Sequence, residues 1–291
     1  MAADEASLSE TARVARAALS DIAPEPGVSK PDPIITAQGV RRSFGGITAV
    51  DVDKVEVQRG SITALIGPNG AGKTTFFNLM TAFDTPDSGT WTFDGTNLEG
   101  VAAHKTADMG MVRTFQLTKS LTKMSVIENM KLGATGQKGE KWWNGLLPFT
   151  WKQQEREIEA RADALLARFK LDHMRNEYAG TLSGGQRKLL EMSRALMTNP
   201  KLVMLDEPMA GVNPALKQSL NQHIKGLRDD GMTVLFVEHD MDMVHDISDW
   251  VIVMAEGMII AEGTPDQISA NPAVIDAYLG AHQGKSLLED L

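Results

Sequence analysis

GPNGAGKTT, spanning Gly67, Pro68, Asn69, Gly70, Ala71, Gly72, Lys73, Thr74 and Thr75, decides the fold of this chain. The apolar run SITALI precedes it and reads as a strand; TTFFNLM follows it and reads as a helix. Strand, glycine-rich turn and a helix opening on Lys-Thr match G-x-x-x-x-G-K-[ST], the phosphate-binding loop. The glycines let the backbone wrap an anion with its amides turned inward, and the helix start adds partial positive charge beneath the phosphates. Lys73 supplies a full charge near the β and γ phosphates, the Thr74 hydroxyl suits Mg2+, and Thr75 can donate to a phosphate. The expected ligands are ATP and Mg2+. The alternative, a glycine-rich turn before an ordinary core helix, leaves the Lys-Thr register unexplained.

Working outward, KLVMLDEP supplies the partner of this loop. Leu202 to Leu205 read as a buried strand, and Asp206 emerges at its carboxyl end, where open α/β sheets bind ligands. Asp206 is expected to hold Mg2+, directly or through water. Glu207, one residue on, can orient and polarise an attacking water. The competing reading is a strand capped by solvated acids.

A second glycine turn, LSGGQ at 182–186, heads the helical pattern RKLLEMSRAL. Ser183 is a good N-cap, which suffices as a plain structural account. Yet free amides at a helix start also form an anion site. One nucleotide already has its phosphates enclosed by the first loop. Two chains packed head to tail would let Ser183, Gly184, Gly185 and Gln186 of one close over the ATP of the other.

The remainder bounds the answer. With 291 residues, 42% hydrophobic and 23% charged, the chain can bury a sizeable core. A net charge of −9 repels phosphate backbones, so nucleic acid is not the expected partner. The absence of cysteine excludes disulfides and thiolate metal sites. No apolar run is long enough to span a bilayer, and MAADEASLSE lacks the order of a signal peptide. A cytoplasmic protein that meets a membrane only through a partner is expected.

Residues 1–33, rich in Ala, Ser, Pro and Glu, read as a flexible tail despite a short helical pattern in ETARVARAAL. From there ITAQGV, VEV, SITALIG and GMVRTFQ read as short strands, with hairpin signals at Asp94-Gly95 and in MAEGMII. Residues from about 117 to 190 lack strand signals and read as a helical block. MTVLFVEHD and DWVIVMAEG return the chain to the sheet, and a short extension occupies 266–291.

LSGGQ placed between GPNGAGKTT and VMLDEP resembles the ATP-binding subunits of ABC transporters over roughly residues 34–265. The resemblance implies an α/β fold: a P-loop NTPase (RecA-like) core with an antiparallel β subdomain and a helical subdomain. It implies further roles. Phe44 would stack on adenine, with a core position as the alternative. Gln116 would touch Mg2+ and lead into the helical subdomain, or be a loop polar group. His239 would reach the γ phosphate, or be a structural histidine at a strand end. One departure is Asn213 in MAGVNP, where the family usually carries an aspartate in a loop that crosses the dimer. That form, NPAVIDAYLG at 271–280, and the insertion WWNGLLPFTWKQQEREIEARA are similar to the ATPase subunits of branched-chain amino-acid importers.

That resemblance implies a second ATPase chain, related or identical, membrane permease subunits, an extracytoplasmic binding protein acting indirectly, and a place on the cytoplasmic face of the membrane. Rival readings are another cargo (urea, or lipid export), an ABC-type ATPase of DNA repair or translation, and a P-loop kinase. The last leaves LSGGQ and His239 unexplained. Trp142, Trp143, Phe149 and Trp151 form either a docking surface or a local core.

Overall fold

The computed structural model describes residues 8–114, 121–135 and 148–278. Among the described residues, ten strands form two sheets. In chain order they are β1 Pro33–Phe44, β2 Ile47–Gln58, β3 Ile62–Ile66, β4 Ser88–Phe93, β5 Thr96–Asn97, β6 Met111–Arg113, β7 Leu202–Asp206, β8 Thr233–Val237, β9 Trp250–Ala255 and β10 Met258–Gly263.

The central sheet runs β10-β9-β3-β8-β7-β6; every pairing is parallel except β10 on β9. Strands β3, β7, β8 and β9 are buried at every position, which explains their continuous apolar runs. The period of two divides their side chains between two cores. Ile62, Ala64, Ile66, Val203, Leu205, Val234, Phe236, Val251 and Val253 face one, with the helices Gly184–Leu196 and Pro214–Asp229. Leu65, Leu202, Met204, Leu235, Val237, Ile252 and Met254 face the other, beneath the helix Lys73–Met80 and the second sheet.

That second sheet is antiparallel, in the order β2-β1-β4-β5. The hairpin signals at Asp94-Gly95 (φ 49° and 76°) and Glu256-Gly257 (φ 49° and 82°) both form turns. Strands β1 and β2 are longer than the sequence suggests, 12 residues each, and meet at Gly45-Gly46 with φ 54° and 87°. Two successive left-handed residues match the right-handed twist of the strands they join. The charged, half-exposed outer faces of these strands hide the alternation.

The expected helical block contains the helices Val126–Lys131, Pro148–Arg168 and Gly184–Leu196. Trp142 and Trp143 lie outside the described residues. Among the described residues no helix is long and apolar enough to cross a membrane.

The first segment departs from the expectation of a loose tail. Glu10–Ser20 is a helix capped by Ser9, and Ala12, Ala15 and Leu19, three to four residues apart, are buried. The Ser9 amide donates to the Asp229 carbonyl at 2.8 Å, and Arg16 pairs with Asp249 at 2.9 Å. The stretch that follows is fixed by a buried ion pair, Lys30–Glu262 at 2.9 Å, with side chains 1% and 0% exposed. Glu262 also accepts from the Gly27 amide at 2.9 Å and the Trp250 indole at 3.1 Å, and Lys30 lies over the Trp250 ring. Removing one partner of such a pair strands a buried charge, at a cost of about 3–5 kcal/mol. The prolines break the helix but leave this anchoring intact.

The helix packs beside Gly60, Gly231 and Asp249, just ahead of β3, β8 and β9. It therefore covers the amino ends of the parallel strands and leaves their carboxyl ends to the site.

Candidate functional site

Pairing across the sheet sets three strand ends level. Leu65 of β3 pairs with Val237 of β8, which pairs with Asp206 of β7. Within two residues these strands lead into the Gly67 turn (after Ile66), Glu238-His239 and Glu207. The phosphate loop, the acid pair and the histidine thus share one edge.

The loop is built tightly. Gly67 (φ 149°) and Gly72 (φ 94°) are left-handed, and a Cβ at either would collide with backbone, the Met254 carbonyl oxygen in one case and that of Ala49 in the other. Lys73 heads the helix Lys73–Met80 and donates through Nζ to the Gly67 carbonyl at 2.6 Å and the Pro68 carbonyl at 2.8 Å. Burial pushes its pKa below the ordinary lysine value, against the raising effect of the nearby Glu207 charge. Pro68, Asn69, Gly70 and Thr74 line the open side, while Ala71 is buried beneath.

Asp206 is 8% exposed, and its Oδ2 accepts from Arg113 Nη2 at 2.7 Å. Glu207 adopts a left-handed φ of 45°, unusual for a residue with a side chain, while its amide donates to Val237 O at 3.0 Å. Two groups that sequence reasoning missed hold this bend. Lys188 donates to the carbonyls of Pro208 at 3.0 Å and Ala210 at 2.5 Å. Glu238, 1% exposed, accepts from the Met209 amide at 2.8 Å and the His239 amide at 3.1 Å. Its only sequence signal is a carboxylate directly after an apolar run. The His239 side chain is 67% exposed and stands clear of the sheet.

The turn at 182–186 is placed differently. Ser183 caps the helix Gly184–Leu196: its Oγ accepts from the Gln186 amide at 3.3 Å, while Gln186 Oε1 accepts from the Ser183 amide at 3.0 Å. A Cβ at Gly184 would meet nothing within 4 Å, whereas one at Gly185 would strike the Leu216 side chain. Among the described residues no hydrogen bond or ion pair joins this turn to the Gly67–Thr75 loop. Asn213 caps the next helix by accepting from the Leu216 amide at 3.0 Å. Phe44 is not in the core: it is 48% exposed at the end of β1, with the Arg42 guanidinium 4.7 Å from its ring centre. Gln116 lies outside the described residues.

A parallel sheet carrying a phosphate loop after one strand and an acid pair after another defines a P-loop NTPase. The chain belongs to the ABC transporter family, whose model matches residues 50–210; a model for the branched-chain amino acid ATP-binding cassette transporter matches residues 258–283. It is 40% identical over 252 residues to the probable branched-chain amino acid transport ATP-binding protein LivG of Archaeoglobus fulgidus, covering 87% of this chain and 97% of that one. It is also 40% identical over 250 residues to the high-affinity branched-chain amino acid transport ATP-binding protein BraF of Pseudomonas aeruginosa, covering 85% and 98%. Among solved structures it is similar to a nucleotide-free ATP-binding cassette from an ABC transporter, with a TM-score of 0.73, 37% identity and coverage of 84% and 98%. An ABC transporter cassette in its ADP conformation gives a TM-score of 0.74 at 37% identity, covering 85% and 99%.

Proposed function

We propose that this chain is the ATP-hydrolysing subunit of an importer of branched-chain amino acids, working through separate membrane permease subunits on the cytoplasmic face. One observation carries the ATPase reading: the level row of Leu65, Val237 and Asp206, which brings Lys73, Glu207 and His239 to one edge. The names of its relatives, together with the match at 258–283, support the cargo.

The amides of Asn69 to Thr75 receive the phosphates of ATP, and Lys73 turns from its own loop carbonyls to the β and γ oxygens. Phe44 offers its exposed ring to the adenine. Thr74 and Asp206 are hard oxygen donors and fit Mg2+. Among the described residues no cluster of three or more His, Cys, Asp or Glu gathers as a ready-made metal site. When bound, Mg2+ neutralises phosphate charge. Gln116 would join Thr74 and Asp206 as a further oxygen donor. Glu207 takes a proton from the water aimed at the γ phosphorus, and His239 steadies the γ oxygens.

Ser183, Gly184, Gly185 and Gln186 serve the nucleotide of a second cassette, a related chain or another copy of this one. The closing of the two cassettes moves the permease, and hydrolysis reopens them. An extracytoplasmic binding protein delivers cargo on the far side.

Cells lacking this chain should lose labelled leucine uptake, and wild type but not Lys73→Ala should restore it. Intact leucine uptake with loss of another solute would overturn the cargo and keep the engine.

A further inference from the structure

Arg113 ends β6, three residues before Gln116, and its guanidinium is enclosed: the side chain is 6% exposed. Nη2 donates to Asp206 Oδ2 at 2.7 Å, and Nη1 donates to Asn78 Oδ1 at 2.6 Å. The rings of Phe77 and Phe83 lie 5.2 and 5.8 Å from the guanidinium carbon. Phe77 and Asn78 belong to the helix that rises from the phosphate loop, and Asp206 closes β7. One planar fork thus links β6, the phosphate helix and the acid pair.

Desolvating a guanidinium is costly, and a cation wanted only for stability could sit at the surface. Arginine keeps its charge at any working pH, and its rigid geometry fixes the rotation of a carboxylate in a way lysine does not. Among the described residues, the Asp206 side chain accepts no hydrogen bond other than Arg113's.

We propose that Arg113 is a positioning residue for Asp206. By holding Oδ2 it turns Oδ1 toward the cation that accompanies ATP, and it tempers the carboxylate's charge until that cation arrives. This rests on Asp206 being the carboxylate that serves Mg2+.

The test uses the full-length chain and a fluorescent ATP analogue, titrated with Mg2+ and, separately, in EDTA. Losing an outer-shell partner of a metal ligand typically weakens metal affinity 10–100-fold. Arg113→Met should therefore raise the Mg2+ concentration that half-maximally tightens analogue binding by roughly tenfold or more, while affinity in EDTA stays within about twofold. Arg113→Lys should fall between, restoring charge without the fork.

If Arg113→Met does not fold, Arg113→Lys is read against the same outcomes. Wild-type Mg2+ dependence in the folded variants overturns the proposal. So does an equal loss of binding in EDTA, which would make Arg113 a general support of the pocket. Asp206→Asn separates the two layers. If it too leaves Mg2+ dependence unchanged, the assignment of Asp206 fails; if it abolishes that dependence while the Arg113 variants do not, only the positioning role falls.

Discussion

The two glycine turns of this molecule share only their glycines and differ in almost everything else. Around Gly67–Thr75 the protein presses in: backbone carbonyls of Ala49 and Met254 forbid side chains at Gly72 and Gly67, and Lys73 is drawn onto its own loop. Around Leu182–Gln186 the cap is complete, but Gly184 faces open space. The first turn is half of a site with its walls already in place. The second is a finished helix end with its amide-bearing face turned outward. In the first turn contacts within the chain require glycine at Gly67 and Gly72; in the second they require it at Gly185, against Leu216, but not at Gly184.

Glu207→Gln gives the largest break. Removing a general base costs typically 10²–10⁴-fold, so turnover should fall by at least about 100-fold while ATP still binds. Near-normal phosphate release from this variant would remove Glu207 from the base role. Ser183→Arg sharpens the contrast itself. It should leave ATP affinity of the single chain unchanged and suppress hydrolysis in the assembled pair; activity equal to wild type would make the turn a cap and nothing more.

Lys73→Ala should weaken ATP binding roughly 10–100-fold, the scale of a lost charge-assisted hydrogen bond, read by equilibrium titration. Unaltered affinity would show the cradle to be ornamental. The smallest and most diagnostic effects come from a matched pair. Gly72→Ala forces a side chain into backbone at positive φ and should cost more than about 1 kcal/mol by denaturant melting. Gly184→Ala meets nothing within 4 Å and should leave folding stability unchanged or raise it by up to about 1 kcal/mol, yet slow hydrolysis. Equal stability losses for the two would erase the distinction between the two turns.

The cradle was legible because each of its residues answers to a local need, an inward amide, a charge or a hydroxyl. The hairpins at Asp94-Gly95 and Glu256-Gly257 were legible for the same reason, since left-handed turns restrict residue choice locally. The Gly45-Gly46 hairpin went unread because its flanking strands carry charge on both sides of the turn. Arg113, Lys188 and Glu238 escaped because their meaning lies in partners 93, 22 and 29 residues away. Nothing in MVR, QRK or VEH announces those partners. The helical pattern of ETARVARAAL was legible but its docking was not: Ala12, Ala15 and Leu19 make a thin apolar stripe that gains its meaning from Asp229 and Asp249.

That anchoring shapes the order of assembly during synthesis. Lys30 and the acid it needs, Glu262, are 232 residues apart. At about 5–20 residues per second the ribosome takes roughly 10–50 s to travel from one to the other. Throughout that interval Lys30 lacks the acid it pairs with, although the helix's neighbours Gly60, Asp229, Gly231 and Asp249 are made earlier. The buried pair is therefore the last of these contacts to become available, and a nascent chain arrested before position 262 should leave the stretch around Lys30 open to protease.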